Sequence, residues 1–202
     1  MTRRRYLLAT TNPDKVREIR ALLEGVPVDI VGLDTVPPVQ PPEETARTFA
    51  QNARLKALHY ATATGLAAIA EDSGLEVDAL DGQPGVESAR FGGPRSTYPE
   101  KFARLYAMLD AKGGRDSAGR FVCAVAVAHG TDIVFEARGT VEGRIAPAPR
   151  GRHGFGYDPI FFYPPEGRTL AEVPDAVKRA VSHRGAAFRQ LRAWLVNAHD
   201  NP

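Results

Sequence analysis

The sequence predicts an α/β fold with a mixed sheet, on two main observations. Strand-like apolar runs alternate with helical stripes in the order strand, helix, strand, helix, strand. Two long strand-like segments then follow, Arg120 to His129 and Asp132 to Ile145, joined by His129-Gly130-Thr131-Asp132, which reads as a hairpin. A hairpin does not belong in a pure Rossmann wind. Neither G-x-G-x-x-G nor G-x-x-x-x-G-K-S/T occurs, so the dinucleotide and P-loop fingerprints do not apply.

Taken in order, Tyr6-Leu7-Leu8-Ala9-Thr10 reads as a buried strand. Asn12 fits an N-cap and Pro13 the first helical position. Val16, Ile19, Leu22 and Leu23 then form a helical stripe that Gly25 ends. Val28 to Leu33 reads as the second strand. The Pro-rich connection from Val36 to Glu44 reads as a loop at a cleft, because its flanks are too short to be independent domains. Thr45 to Thr64 reads as a helix with Phe49, Ala53, Ala57, Tyr60 and Ala61 along one side. A strand runs to Glu71, a Ser-Gly turn follows Asp72, and Leu75 to Leu80 alternates like a further strand. Asp81 to Pro94 is loop, and Pro99 to Leu109 is a helix with Phe102, Leu105, Tyr106 and Leu109 on one face. After the hairpin come a loop, Pro147 to Tyr157, and a short strand, Ile160 to Tyr163. The tail from Asp175 is helical, broken near Ser182 to Gly185, with Val181, Phe188, Leu191, Trp194 and Leu195 as its apolar face.

With 202 residues, 43% of them hydrophobic, the chain suits one globular domain, or one domain with a smaller lobe. Lys+Arg number 26 against Asp+Glu 24, without blocks of like charge, so a nucleic-acid scaffold is not indicated. The single cysteine, Cys123, lies in an apolar run and reads as a buried, inert thiol; alone it excludes an intrachain disulfide and a Cys-based zinc site. The apolar run behind Arg3-Arg4-Arg5 is too short for a signal peptide, and no segment is long and apolar enough to span a membrane. A cytoplasmic setting is the expectation.

Four polar clusters carry chemistry. Thr10, Thr11, Asn12, Pro13, Asp14 and Lys15 lie where the first strand meets the first helix. A helix N-terminus presents unpaired N–H groups to phosphate, the hydroxyls and amide add donors, and Lys15 adds a point charge. Glu43 and Glu44 in the Pro-rich loop, with Glu71 and Asp72 after the strand, offer carboxylates from two segments, the donor set Mg²⁺ uses alongside substrate phosphates. In the Gly151 to Pro159 loop, glycines flank Phe155 and let the backbone approach a flat ligand on which the ring can stack. Lys178 with Ser182, His183 and Arg184 forms a basic group suited to an anion or the polar edge of a base. Each cluster has a bland alternative: a capped helix, an acidic rim, a packed turn, a solvated basic face. Together they supply a phosphate cradle, a divalent-metal site, a stacking platform and a base reader.

On these residues the chain resembles the Ham1/RdgB/inosine triphosphatase family of nucleoside-triphosphate pyrophosphatases. The matching pieces are Ala9 to Lys15 with Glu18, Glu43 to Thr45, Thr48 to Ala53, Ala70 to Leu75, Pro84 to Phe91, Pro149 to Gly151, Gly154 to Phe161, Thr169 to Glu172, and Ser182 to Arg184. They run in family order and cover nearly the whole chain. The resemblance implies one domain over residues 1–202, α/β and two-lobed, with a long curved mixed sheet flanked by helices and the active site in a cleft between the lobes. It implies a homodimer and hydrolysis of ITP, dITP and XTP to monophosphate and pyrophosphate, with Mg²⁺ as cofactor and Mn²⁺ as a substitute. No nucleic-acid or membrane partner is implied.

Carried over, Asp72 resembles the catalytic acid/base that also meets the metal, with Glu43 as partner ligand. Thr10 to Lys15 resemble the triphosphate loop, and Ser73 adds a substrate contact. Phe155, Gly156, Tyr157, Asp158, Lys178, His183 and Arg184 resemble the base and substrate pocket, with Arg184 or a backbone N–H near His183 donating to the purine 6-keto group. The chain has Gln51 where the family carries Glu in T-F-x-E-N-A; if that Glu supports the metal, either the ion is held more loosely or Glu44 compensates. It also lacks the usual acidic pair just ahead of Lys178. Two other readings remain at this point: a Maf-type pyrophosphatase acting on pyrimidine nucleotides, and a non-catalytic nucleotide-binding regulator.

Overall fold

A computed structural model describes residues 3–200. Its elements run β1 (Arg5–Leu8), α1 (Pro13–Leu22), β2 (Asp29–Gly32), α2 (Phe49–Thr64), β3 (Ala67–Val77), α3 (Tyr98–Ala111), β4 (Ala118–His129), β5 (Asp132–Ile145), β6 (Phe161–Tyr163), β7 (Arg168–Thr169), α4 (Asp175–Val181) and α5 (His183–Asp200). The strands form one seven-stranded sheet in the order β2-β1-β3-β4-β5-β6-β7. It is mixed, as expected. β1 runs parallel to β2 and to β3, with Tyr6 opposite Ile30 and Ala67, while β6 is antiparallel to β5 and β7. The chain divides into two compact units, the first ending its opening segment at Asp72 and resuming over Cys123–Gly139 and from His183, the second comprising Ser73–Val122 and Thr140–Ser182.

In the first unit, Asn12 caps α1 as predicted: its Oδ1 accepts from the backbone N–H of Asp14 (2.9 Å) and Lys15 (3.2 Å). At the other end of α1, Arg192 donates to the carbonyls of Leu22 and Glu24, which have no partner within the helix. The core joins Leu8, Ile19, Ile69, Val125, Phe188, Leu191 and Leu195. Burying each such side chain is worth roughly 1.5–3 kcal/mol, so spacing the α5 apolar residues by three and four is what seats that helix. α2 begins at Phe49, not Thr45, because Thr48 is its cap and accepts from the Gln51 N–H.

In the second unit, α3 buries Phe102, Leu105, Tyr106 and Leu109 against Leu75, Val77, Phe121 and Phe161. Thr97 and Glu100 close its first turn as a capping box. Phe121 and Phe161 pack at a centroid distance of 4.6 Å. β7 is two residues long, too short for the sequence to announce.

One expectation fails instructively. The sequence reads as a strand, a Ser-Gly turn and a second strand, yet β3 runs unbroken through Ser73-Gly74 to Val77, and Asp78–Leu80 is a 3₁₀ turn. Gly74 is there for closeness: a Cβ would collide with Ser88 and the Gly85 carbonyl. Ser88 Oγ accepts from the Leu75 N–H at 2.9 Å and donates to the Gly85 carbonyl at 2.6 Å, stitching that loop to the strand. A glycine can mark a close approach inside a strand as readily as a turn.

Candidate active-site residues

β1 ends at Leu8, paired with Ile69 of β3, and both chains continue past that pairing. The first delivers Thr10 to Lys15 just past the carboxyl end of β1, where open α/β sheets place ligands, and the second delivers Glu71 and Asp72 from the middle of β3. α2 supplies the other half of this cluster. Asn52, fully buried, donates from Nδ2 to Asp72 Oδ2 at 3.0 Å and accepts the Ala46 N–H at 3.1 Å. One turn on, Lys56 Nζ lies 3.2 Å from Asp72 Oδ1 and 3.2 Å from Glu44 Oε2. Asn52 and Lys56 were not singled out in the sequence. Their signal was two polar residues, four apart, within the apolar stripe of Phe49, Ala53, Ala57 and Tyr60.

A second chain of charges runs beside it. Glu71 accepts from Lys15 Nζ at 2.6 Å, from Arg184 at 3.4 Å and from the Cys123 thiol at 3.2 Å, and Arg184 also binds Glu18 at 2.7 Å. Burial alone would raise the Glu71 carboxyl, but Lys15 and Arg184 outweigh it and hold it well below the usual carboxylate range. Burial and the Glu71 charge push the Cys123 thiol up, so this cysteine is inert, as read from the sequence. Asp72 moves the other way: burial raises it and Glu44 adds to the rise, against Lys56. Burial opposes the charge on Lys56, but Asp72, Glu44 and Glu71 outweigh it and raise that ammonium. Two neighbouring carboxylates are thereby set apart: Glu71 is locked as an anion, while Asp72 is the more basic of the pair.

Several expectations change here. Glu71 is an internal anchor for two cations. Glu44, through Lys56, is the loop acid tied to Asp72, while Glu43 is exposed beside it. The α1 N–H groups of Asp14 and Lys15 are occupied by Asn12, so the expected unpaired helix N-terminus is already capped; Thr11 and Pro13 are exposed, and Asp14 pairs with Arg17 at 2.8 Å. Arg184, expected to read a base edge, is 2% exposed and spends its guanidinium on Glu18 and Glu71. His183, its neighbour at the start of α5, is also buried. Gln51 is exposed at the third position of α2, the capping-box site where Gln serves as well as Glu.

The second unit holds the aromatic loop. Asp158, buried, accepts on Oδ2 from Lys178 Nζ at 2.6 Å and from the Phe155 N–H at 2.8 Å. Lys178 Nζ also sits 4.6 Å from the Phe155 ring centroid, a cation–π contact that holds the ring in place. Gly154 makes this possible: at φ 69° it turns where an L side chain is strained, and a Cβ would strike Asp158. Gly156 precedes Tyr157, which is buried, donates to the Ser88 carbonyl at 2.9 Å and meets Tyr98 edge-on at 5.5 Å. Asp158 and Tyr157 therefore shape the loop, and Phe155 is the member presented on it. Ser73, half-buried on β3, belongs to the same unit.

The Ham1 family model matches residues 6–194. The chain belongs to the Ham1 family. Among its curated relatives, the dITP/XTP pyrophosphatase of an Exiguobacterium species is 43% identical over 192 residues, covering 95% of this chain and 97% of the relative. The dITP/XTP pyrophosphatase of Erwinia tasmaniensis is 45% identical over 195 residues, covering 95% and 94%. A Ham1 protein structure from Coxiella burnetii superposes with a TM-score of 0.87 at 38% identity, covering 96% of this chain and 99% of that one. The Staphylococcus aureus Ham1 structure gives 0.86 at 33% identity, covering 96% and 100%. Ham1 membership therefore agrees with the resemblance, with the mixed α/β sheet and with the order of the motifs.

Proposed function

We propose that this Ham1-family chain hydrolyses deaminated purine nucleoside triphosphates (dITP, XTP and ITP) to the monophosphate and pyrophosphate. The relatives named dITP/XTP pyrophosphatase, matched end to end, support the reaction. The observation that carries the mechanism is the Asp72 cluster: a carboxylate made more basic by burial, oriented by Asn52 and set against Lys56 and Glu44. Asp72 orients and deprotonates a water for in-line attack on the α-phosphorus. Lys15, clamped by Glu71 yet 18% exposed, meets charge building on the pyrophosphate leaving group. Thr10, Thr11 and the capped turn of Asn12 to Asp14 position the phosphates. Phe155 stacks on the base. With Arg184 engaged by acids, the donor to the 6-keto group falls to a backbone N–H near His183. Adenine would set its amino donor against that donor, a mismatch that rejects by orders of magnitude.

Mg²⁺ fits the residues present, and Mn²⁺ would substitute. Among the described residues no three metal-ligating side chains converge into a cage, but Mg²⁺ needs only one or two carboxylates besides phosphates and waters. Lys56 supports this reading, since its ammonium already bridges Asp72 and Glu44 where positive charge is favoured. Asp72 with Glu43 and Glu44 would hold the ion, which when bound neutralises phosphate charge and acidifies a bound water. A homodimer in the cytoplasm completes the proposal by resemblance to the family; no helix of the described residues is long and apolar enough to cross a membrane. The test is pyrophosphate release from ITP, XTP, GTP and ATP, with Mg²⁺ and with EDTA. Fast, metal-dependent release from ITP and XTP alone supports the proposal. Orthophosphate as the product moves the attack to the γ-phosphorus and refutes it.

A further inference from the structure

A cavity of about 680 Å³ opens in the first unit, lined by Arg3, Arg4, Arg5, Leu66, Val134 and Trp194 among others. That volume is in the range of small-molecule sites, roughly 300–1,000 Å³. It lies at the starts of β1 and β3, beside Arg5 and Ala67. The candidate catalytic residues lie further along: Thr10 to Lys15 follow the far end of β1, and Glu71 and Asp72 sit mid-way along β3. From Ala67 to Glu71 is four steps along β3, about 13 Å at ~3.3 Å per residue. The cavity is therefore a separate place in the same unit.

Its chemistry is lopsided. Three consecutive arginines border it, and among the described residues no acidic side chain lines it and Arg3, Arg4 and Arg5 form no ion pair. Guanidinium groups of this kind take phosphate or carboxylate oxygens in paired hydrogen bonds. Apolar and aromatic side chains line it as well. Trp194 is held upright by Tyr6, edge-on at 6.4 Å, and Phe135, tilted at 5.2 Å. Val134, which also lines it, is 43% exposed and is one of two large hydrophobic side chains exposed among the described residues.

We propose that this cavity is a second ligand site, for an anion that carries a flat apolar body, the class to which nucleoside phosphates belong. The arginines hold the phosphates; Trp194, Leu66 and Val134 take the base. The proposal does not rest on the pyrophosphatase reading.

Trp194 is the single tryptophan of the chain and lines this cavity, so its emission reports on it. The experiment titrates the full chain with ATP in EDTA, and in parallel with inorganic pyrophosphate and with adenosine. ATP is expected to change Trp194 emission saturably below about 1 mM, weakening with added salt. Asp72→Asn should leave that curve in place, whereas the triple substitution Arg3→Ala, Arg4→Ala, Arg5→Ala should weaken it about tenfold or more. Pyrophosphate and adenosine should each bind more weakly than ATP. No saturable change, or one the arginine substitutions do not move, overturns the proposal. Pyrophosphate binding as tightly as ATP refutes a role for the apolar side chains. A change in oligomeric state in the arginine variant, read by sedimentation, would assign this face to a second copy of the chain instead.

Discussion

Arg184→Ala separates two accounts of one residue. If Arg184 reads the base, its loss costs discrimination and little stability. If it is the internal cation the structure describes, its loss costs stability first. The guanidinium is 2% exposed, 2.7 Å from Glu18 and 3.4 Å from Glu71. Removing one member of a buried pair costs roughly 3–5 kcal/mol, because the partner charge stays behind. Lys15 remains 2.6 Å from Glu71, so the lower end applies, about 3 kcal/mol. At about 2–4 °C per kcal/mol for a chain of this size, the midpoint should fall by roughly 6–12 °C. Thermal unfolding of the metal-free protein at neutral pH measures it.

The pH dependence has a fixed sign. Glu71 titrates lower in the folded than in the unfolded chain, so its contribution is present above the ordinary carboxylate range and is lost as pH falls through its folded value. Without Arg184 that folded value rises. The variant should begin to lose stability at a higher pH than the parent, and the gap between them should narrow in acid. Turnover of ITP and ATP should fall in parallel. A midpoint lowered by less than about 2 °C, with ITP selectively impaired, would refute the ion-pair reasoning and restore Arg184 as a base contact.

Asp72→Asn should abolish ITP turnover while leaving circular dichroism unchanged and the neutral-pH melting midpoint equal or higher. It removes a carboxylate whose ionisation burial opposes; residual turnover near the parent's would remove Asp72 from the chemistry. Lys15→Ala should weaken triphosphate binding far more than nucleoside binding, read by competition against ITP hydrolysis, and equal losses would deny Lys15 a phosphate role. Gly154→Ala should lower the melting midpoint by at least about 2 °C through the strained φ and raise KM more than it lowers kcat; an unchanged KM would separate the Phe155 loop from substrate.

Local features were legible because local physics writes them. The Asn12 cap, the α3 stripe and the break at Ser182 follow from side chains a few residues apart, and each appears where the periodicity put it. Ser73-Gly74 misled because glycine serves two purposes, and only the distant Ser88 decides between them. The two acids of β3 were legible as residue types but not by their partners. Glu71 and Asp72 are adjacent on a strand and point to opposite faces, so one meets Lys15 and Arg184 while the other meets Lys56 and Asn52.

By itself the sequence determined the α/β class, the mixed sheet and the family. The tertiary structure alone decided the partnerships: Glu44 with Lys56, Arg184 with Glu18 and Glu71, and Lys178 with Asp158. The physical reason is range. Periodicity and capping act over one or two turns of chain, whereas a buried charge is settled by whichever opposite charge the folded core brings within hydrogen-bonding distance, here from as far as 166 residues away.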